Sequence, residues 1–385
     1  MLLGTSINRR SAIIAILFLL TLSLGDAKPA SPQTNQQAAG SDAETSHAQP
    51  PAPSDREKAG LRGPVEACTQ ESTTPPQGNR PAWKMVYTNK YDRDGRMYQT
   101  GYVNNDGSKG TSSLTYDAEG HLLTTVGESQ GKTSVTIYNY DTQGRLIDIT
   151  GAGDWTTSFE YDQGRKTRIA KSKLDASSTG DQSSLGVSIG SENVDLSLAP
   201  PPGGSVKTSF NDHDQPVEAQ VYGPNGDLLK RLTRTYDSKG RVLESSLVIE
   251  DAHSILPPDA VKQISAEPGG AEALEKELAR FLGDQHVLAY SSYAYDDQGR
   301  VIEEHNRFGP SRETITKITY NDQGDEAQAI ETTSDASSSP QPSGILLKYQ
   351  YDNFGNWIEK TVSSAPTGSE PSKIWSIDRR TITYY

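Results

Sequence analysis

The pattern in this chain that most resembles a catalytic motif is Gly-Val-Ser-Ile-Gly at residues 186–190. A serine between two glycines at this spacing occurs at the nucleophile elbow of serine hydrolases, where a strand precedes the serine and a helix follows it. Here the motif lies in a Ser- and Gly-rich stretch, and no alternation of strand and helix patterns surrounds it. We therefore expect Ser188 to have no catalytic role.

Residues 127–133, Gly-Glu-Ser-Gln-Gly-Lys-Thr, resemble a phosphate-binding loop. A true P-loop has four spacer residues between its glycines and leads into a helix, whose N-terminus binds the phosphate. This segment has three spacers and continues into the strand-like run Val135-Thr136-Ile137. The sequence thus predicts no phosphate site here.

Clusters of acidic and amide residues are the third candidate for chemistry. They are Asn211 to Asp214 and the pairs Asp92 and Asp94, Asp296 and Asp297, and Asp322 and Asp325. Calcium needs six or more oxygen ligands, and none of these stretches supplies them, so turn formation explains the carboxylates better. We predict no catalytic, metal or cofactor site. Acids brought together from different strands could still form the carboxylate pair of a glycosidase, and this alternative stays open.

The four tryptophans, Trp83, Trp155, Trp357 and Trp375, allow two interpretations. Aromatic rings beside acidic and amide side chains stack well on sugars, which would suggest glycan binding. Aromatic rings also pack in and at the edges of sheets, and this is the more common role. We expect packing to account for most of them.

The acidic residues and tyrosines belong to a phrase that recurs along the chain, Tyr-Asp-x-x-Gly, usually followed by Arg and an apolar residue. Its structural anchors are Tyr91, Asp92, Gly95, Tyr116, Asp117, Gly120, Tyr140, Asp141, Gly144, Tyr236, Asp237, Gly240, Tyr295, Asp296, Gly299, Tyr320, Gly324, Tyr351, Asp352 and Gly355. Weaker copies begin at Tyr161, Phe210 and Tyr222. Uninterrupted anchors lie 21 to 26 residues apart, and a fixed period of this size indicates stacked repeats that bury a shared apolar face.

Each copy predicts a β-hairpin. Asp at the start of a turn accepts hydrogen bonds from the turn backbone, and Gly three residues later adopts positive φ without steric cost. The flanking residues alternate between apolar or aromatic and polar, as strands with one buried face do. The predicted fold is all-β: an antiparallel sheet of hairpin repeats, twisted and curled, with one short inserted helix. Its apolar face requires the sheet to curl on itself, accept a lid or pair with a second copy.

The chain divides into three predicted regions. Residues 1–27 form a signal peptide, with Arg9 and Arg10 before an apolar stretch and a small-x-small cleavage site. Residues 28–60 form a disordered tether rich in Pro, Gln, Ser and Ala. The repeat domain covers 61–385, with insertions at 172–205, 251–285 and 334–344. The first and third read as loops, whereas the second contains Leu274, Leu278, Phe281 and Leu282 at helical spacing before Gly283, which predicts a helix that forms a partial lid on the sheet.

Charge and cysteine content narrow the possible partners. The net charge is −13 and the sequence has no basic stripe, so we expect no nucleic acid partner and no membrane insertion after leader cleavage. Cys68 is the only cysteine, which excludes an intramolecular disulfide. The leader predicts a protein that is secreted or located in the periplasm or cell envelope.

The phrase Tyr-Asp-x-x-Gly-Arg-Leu at Tyr140 to Leu146, with its copies, resembles the YD repeat of the Rhs and teneurin families. The resemblance covers about Trp83 to Trp357. It implies a long antiparallel sheet that spirals into a hollow shell, which encloses an effector in polymorphic toxins and supports adhesion in teneurins. This chain has fewer repeats than such a closed shell is expected to need. It also lacks the Asp-Pro-x-Gly autocleavage element and ends on a strand-like segment, Thr381 to Tyr385, so it is more similar to small secreted bacterial YD-repeat proteins.

These patterns favour an exported, non-enzymatic scaffold or interaction protein that meets a protein or glycan partner at the cell surface or envelope. One alternative is a glycan-active enzyme that uses carboxylates on the concave face of the sheet. Another is a partial toxin-shell component. No cofactor is expected in the leading interpretation.

Overall fold

The computed structural model describes residues 53–78, 81–151, 156–162, 167–173, 200–201, 203–256, 258–310, 312–335, 338–365 and 372–385. These residues form twenty strands of one antiparallel sheet, which confirms the predicted all-β fold. The strands are β1 Val65–Thr74, β2 Trp83–Tyr91, β3 Met97–Val103, β4 Lys109–Tyr116, β5 Leu122–Ser129, β6 Lys132–Tyr140, β7 Leu146–Gly151, β8 Thr156–Tyr161, β9 Thr167–Lys173, β10 Ser205–Phe210, β11 Pro216–Tyr222, β12 Leu228–Tyr236, β13 Val242–Ile249, β14 Val287–Tyr295, β15 Val301–Phe308, β16 Arg312–Tyr320, β17 Glu326–Asp335, β18 Ser338–Tyr351, β19 Trp357–Ser364 and β20 Ile374–Tyr384.

Each strand pairs with its neighbours in sequence, and the last strand pairs with the first. Cys68 of β1 lies opposite Asn89 of β2 on one side and opposite Ile382 of β20 on the other. The sheet is therefore closed, and the expectation that the chain has too few repeats for closure is wrong. The strands β1 and β20 lack the turn motif, so repeat counting overlooked the pair that completes the circuit.

The two faces of the closed sheet differ in burial. Side chains of residues directly opposite each other in a ladder point to the same face, so the register assigns each strand's inward side. The anchor tyrosines share their face with buried residues such as Val206, Val221 and Leu247. Val135 and Ile137 lie on the other face and are 40% and 43% exposed. The anchor face lines the inside of the closed sheet.

The turns that follow the anchor tyrosines lie at one end of the closed sheet, and the remaining connections lie at the other. The turn after Tyr222 joins β11 to β12 at the second end, so its interpretation as a weaker copy of the motif is wrong. At the motif-turn end a short helix, α1 (Asp55–Lys58), begins at Ser54, whose side chain and that of Glu57 form a capping box. Leu61 and Val65 pack with Cys68 and Tyr91 just inside this end. Ordered chain therefore extends into the predicted tether, and the predicted boundary at residue 60 falls too late.

The opposite end carries the insertion between β13 and β14. It contains a 3₁₀ helix (Ala252–Ile255), α2 (Pro258–Ser265) and α3 (Gly270–Leu282). Helix α3 ends at Gly283, which has φ of 68°, as predicted, and Leu282 packs on the sheet residues Val221 and Ile249. The insertion thus holds two α-helices where one was predicted, because the segment before Gly269 carries its own apolar side that packs on α3.

The predicted loop at 334–344 is wrong for the described residues, because β17 extends to Asp335 and β18 begins at Ser338. Pro342 lies opposite Thr332 in that pairing. Strand β19 pairs with β18 only from Ile345 onward, so the part of β18 before Ile345 pairs with β17 alone. A proline is tolerated in such an edge segment, because its missing N–H faces the side that has no pairing strand.

Several sequence predictions lie outside the described residues. The signal peptide, most of the tether, Trp155 and residues 174–199 of the first insertion, with Ser188, are among them. Within the described part of the chain, no helix has the length and apolar character needed to cross a membrane.

Candidate functional site

The repeated motif forms one local structure, seen clearly in the unit that begins at Tyr140. The carboxylate of Asp141 accepts hydrogen bonds from the backbone N–H groups of Gln143 and Arg145, both at 2.9 Å. The Arg145 Nε donates to the other oxygen at 2.7 Å, and Gly144 has φ of 73°. The units at Tyr91, Tyr236 and Tyr295 repeat the Asp–Arg contacts. The motif's Asp and Arg therefore close the turn.

The same arginine reaches the next unit. Arg241 lies 4.4 Å from the ring centroid of Tyr295, and Arg300 lies 4.3 Å from that of Tyr320. Arg145 stacks in the same way on Tyr161. A guanidinium over an aromatic face is attracted by the ring's quadrupole, so each Arg joins its own Asp to the tyrosine of the following hairpin.

The anchor tyrosines complete the link through their hydroxyl groups. Six of the motif tyrosines donate to a main-chain carbonyl just after the preceding motif turn, whereas Tyr351 donates to the Asp325 carboxylate. The pairs are Tyr116 to Met97 at 2.7 Å, Tyr140 to Leu122 at 3.0 Å, Tyr161 to Leu146 at 2.8 Å, Tyr236 to Pro216 at 2.7 Å, Tyr295 to Val242 at 2.6 Å and Tyr320 to Val301 at 2.6 Å. Burial, reinforced by the nearby Glu326 carboxylate, raises the pKa of Tyr320 to about 12. The Tyr320 phenol therefore stays protonated and keeps donating.

Asp117, Glu119 and His121 form the one group among the described residues whose side-chain spacing could hold a metal ion, with ligand atoms within 4.8 Å of one another. His121 occupies the arginine position of its unit. Its Nδ1 lies 2.8 Å from Asp117, and its ring stacks on Tyr140 at 4.8 Å. These contacts reproduce those of the arginine units, so we assign the group to turn formation.

Two consecutive units, at Tyr320 and Tyr351, replace the motif arginine with Asp325 and Asn356. A segment that precedes β1, residues 54–64, docks at these units, and we call it the N-terminal cover. The Arg62 backbone N–H donates to the Asn356 Oδ1 at 2.6 Å, and the Asn356 amide donates back to the Arg62 carbonyl at 2.9 Å. Arg62 also donates to the carbonyls of Gly355 and Gln323, both at 3.2 Å. Sequence reasoning missed this cover, although the loss of arginine in two adjacent units is a signal for it.

Interior carboxylates are present, as the glycosidase alternative requires. Glu304 lies opposite Thr316, which in turn lies opposite Glu331. The three residues share a row on the anchor face, so the Cα atoms of the two glutamates are about 10 Å apart. Burial raises the pKa of Glu304, the Asn306 side chain opposes this shift, and the charges of Glu326 and Glu331 add to it. This is the environment of a carboxyl group that can act as an acid.

Turns and packing explain most of the other sequence candidates, but Trp83 and Trp375 are exposed. Residues 127–133 form the end of β5, a tight turn at Gln130 and Gly131, and the start of β6. Asn211 accepts hydrogen bonds from the backbone N–H groups of His213 and Gln215. Trp357 lies beneath a cation, with Arg380 3.5 Å from its ring centroid. Trp83 and Trp375 are 43% and 39% exposed.

Comparison with known proteins agrees with the repeat geometry. The family described as Teneurin YD-shell matches residues 82–175, which contain the turns beginning at Tyr91, Tyr116 and Tyr140. No curated protein matches the sequence. The fold and the motif geometry together define a YD-repeat, shell-like protein, with the resemblance to the Rhs and teneurin repeats that the sequence predicts.

The solved structures that match this chain are distant in sequence. A porin-like protein from Bacteroides uniformis ATCC 8492 is 8% identical, with a TM-score of 0.34 over 84% of this chain and 98% of that one. The Photorhabdus luminescens Tc holotoxin pore is 12% identical, with a TM-score of 0.22 over 75% of this chain and 19% of the toxin chain. A porin-like protein from Bacteroides vulgatus ATCC 8482 is 12% identical, with a TM-score of 0.19 over 83% and 98%.

Proposed function

We propose that this protein is an exported, non-enzymatic YD-repeat scaffold that binds a protein or glycan partner in the cell envelope through the outer face of its closed sheet. The observation that carries the proposal is the use of the motif residues. In the units with a full motif, Asp, Gly, Arg and Tyr are all engaged in closing a turn or joining two hairpins. The motif residues therefore hold the closed sheet together, and the side chains of its outer face remain for binding a partner.

One part of the outer face suits a protein partner. Val126 of β5 lies directly opposite Val135 of β6, and Ile137 follows two residues later on the same face. Val135 and Ile137 are more than one-third exposed. We call these three residues the outer patch. Adjacent exposed apolar side chains on neighbouring strands are typical of interaction surfaces.

A binding screen with matched variants tests this proposal. The mature protein is screened against a glycan array and against purified envelope proteins, and each hit is repeated with V135D/I137D. The control is T235D/T319D, which places the same two charges at exposed outer positions of other strands. A hit lost in the patch variant and kept in the control supports a protein scaffold. Binding that is unaffected by both pairs of substitutions, or the absence of any hit, contradicts the proposal.

A second candidate, a glycan-active enzyme, is favoured by Glu304. Its pKa is raised, and Tyr293 lies opposite it on the inner face. In this case Glu304 would protonate a leaving group and Glu331 would act as the second carboxylate. Hydrolysis of a polysaccharide substrate that is lost in both E304Q and E331Q, and kept in the outer-face variant E303Q, would establish the enzyme. Without such activity the scaffold interpretation stands.

A further inference from the structure

A cavity of about 200 Å³ lies inside the closed sheet, directly beneath the N-terminal cover. Ala59 and Leu61 of the cover form part of its wall. The rest of the wall comes from inward-facing residues of β1, β2 and β20, which are Cys68, Gln70, Tyr87, Asn89, Tyr91 and Arg380. The volume equals that of roughly six or seven liquid waters, which is enough for a small organic molecule.

Arg380 is the one charged residue of this lining. Its Nε donates to the Gln70 Oε1 at 3.1 Å, and one face of its guanidinium lies 3.5 Å from the Trp357 ring centroid. These contacts fix the orientation of the side chain. Neither contact uses the edge of the guanidinium that bears its two terminal nitrogens. This edge can bind a carboxylate through two parallel hydrogen bonds.

No described carboxylate forms an ion pair with Arg380. The nearest acidic groups are already engaged: Asp378 pairs with Lys360 at 2.8 Å, and Asp325 accepts the Tyr351 hydroxyl at 2.6 Å. Burial lowers the pKa of Arg380, and the surrounding groups only partly oppose this shift. A cation held in a partly dry interior without a counter-ion is costly, and a bound anion would offset that cost.

We propose that this cavity is a binding site for a small organic carboxylate, with Arg380 as its anion receptor. The cavity combines donors at one side with apolar surface at the other. Tyr87 and Asn89 add polar groups near the guanidinium, whereas Leu61, Ala59 and the ring of Tyr91 provide apolar contacts. This pairing suits a carboxylate that carries a compact apolar or aromatic group better than it suits a bare inorganic anion.

The N-terminal cover forms the outer wall of the site, where Leu61 is buried against Tyr91 and Cys68. This inference does not depend on the proposed partner of the outer face, and the two can fail separately.

Calorimetric titration of the full mature chain tests the site with benzoate as the probe. Benzamide, which has the same shape without the charge, is the first control, and inorganic phosphate is the second. We expect benzoate to bind at least about tenfold more tightly than either, since a charge-assisted bidentate contact is stronger than a neutral one. Equal binding of benzamide, equal binding of phosphate, or no benzoate binding at millimolar concentration would overturn the proposal.

The variants R380M and R379M separate the site from general charge effects. Arg379 is the neighbouring residue on the outer face, where it pairs with Glu359 at 2.9 Å. We expect R380M to lose benzoate binding and R379M to keep it, with both melting as cooperative folded proteins. Benzoate binding that survives in R380M would refute the assignment.

Cys68 supplies a readout that needs no variant, because it is the only thiol of the chain and lines the cavity. Benzoate bound there shields the thiol, so its reaction with a small thiol reagent should slow in the presence of benzoate and not of benzamide. A reaction rate unaffected by benzoate that binds calorimetrically would place the ligand elsewhere and contradict the proposal.

Discussion

At the scale of single residues, the arginine after the turn glycine joins its own turn to the next hairpin. Arg300 illustrates it, with Asp296 at 2.6 Å on one side and the Tyr320 ring on the other. Its side chain is only 18% exposed. The motif therefore specifies both a turn and the stacking of successive hairpins.

We expect Arg300→Ala to lower the free energy of unfolding by about 2 kcal/mol, because it removes a charge-assisted hydrogen bond and a cation–π contact together. Urea denaturation monitored by circular dichroism measures the change. The control is Arg379→Ala, which removes an exposed ion pair on the outer face and should cost less than about 1 kcal/mol. Equal effects of the two substitutions would show that the motif arginine has no special role.

The turn aspartates also predict a pH dependence of stability. Backbone and side-chain hydrogen bonds from Arg145 lower the pKa of Asp141. For Asp237, burial acts to raise the pKa, but hydrogen bonds from Arg241 outweigh it and the pKa is lowered. A folded-state pKa below the unfolded value of about 3.9 stabilises the fold above that pH, and this stabilisation is lost as pH falls through the folded-state pKa.

Melting temperatures recorded between neutral pH and about pH 2 check this dependence. We expect a steep fall below about pH 4 and a shallower fall in Asp141→Asn, which has one fewer carboxylate to protonate. Asp106 lies in a turn without the motif, but hydrogen bonds from Ser108 lower its pKa as well. Asp106→Asn is therefore not a suitable control for Asp141→Asn. A stability profile that is flat down to about pH 2 would contradict the assigned role of the turn aspartates.

Among the elements, the helical insertion has two separable contacts. Leu274 and Leu278 pack with Leu256 inside the insertion, whereas Leu282 packs on the sheet. All three leucines of α3 are almost fully buried. The insertion therefore has a small core of its own, and it is attached to the sheet by the end of α3 and by Ala252 and Ile255 of the 3₁₀ helix.

Two truncations should distinguish these contacts by hydrogen exchange. Leu278→Ala and Leu282→Ala each remove a buried leucine side chain, at a cost of about 3 kcal/mol. We expect Leu278→Ala to speed exchange within α2 and α3 alone, and Leu282→Ala to speed exchange also in β11 and β13. Identical exchange patterns would mean that the insertion and the sheet unfold as one unit.

For the whole molecule, closure through β1 is the decisive feature. Strand β1 fills the gap between β2 and β20, so its removal leaves two edges with unpaired backbone groups, and such edges recruit other chains. We expect a chain that begins at residue 79 to form oligomers or aggregates in light scattering coupled to size-exclusion chromatography. A chain that begins at residue 53 keeps the cover and β1 and should behave like the mature protein. A monomeric, equally stable chain without β1 would show that closure is dispensable.

The sequence by itself determined the motif hairpins and the inward face of the strands that carry the anchor tyrosines. These properties are local: Asp and Gly set the turn at Asp141 to Gly144, and two-residue alternation sets which side chains share a face. The helix that ends at Gly283 was predictable for the same reason, since its apolar spacing and its C-terminal glycine lie within one short segment.

Only the tertiary structure decided closure, the N-terminal cover and the cavity of Arg380. Each depends on residues far apart in the chain, such as Arg62 with Asn356 and Gln70 with Arg380. Whether twenty hairpin strands close or remain open depends on the twist and stagger accumulated over all of them, a sum that no single repeat reveals. The pairing of β1 with β20 occurs once in the molecule. These two strands lack the turn motif, so a search for repeats does not detect their pairing.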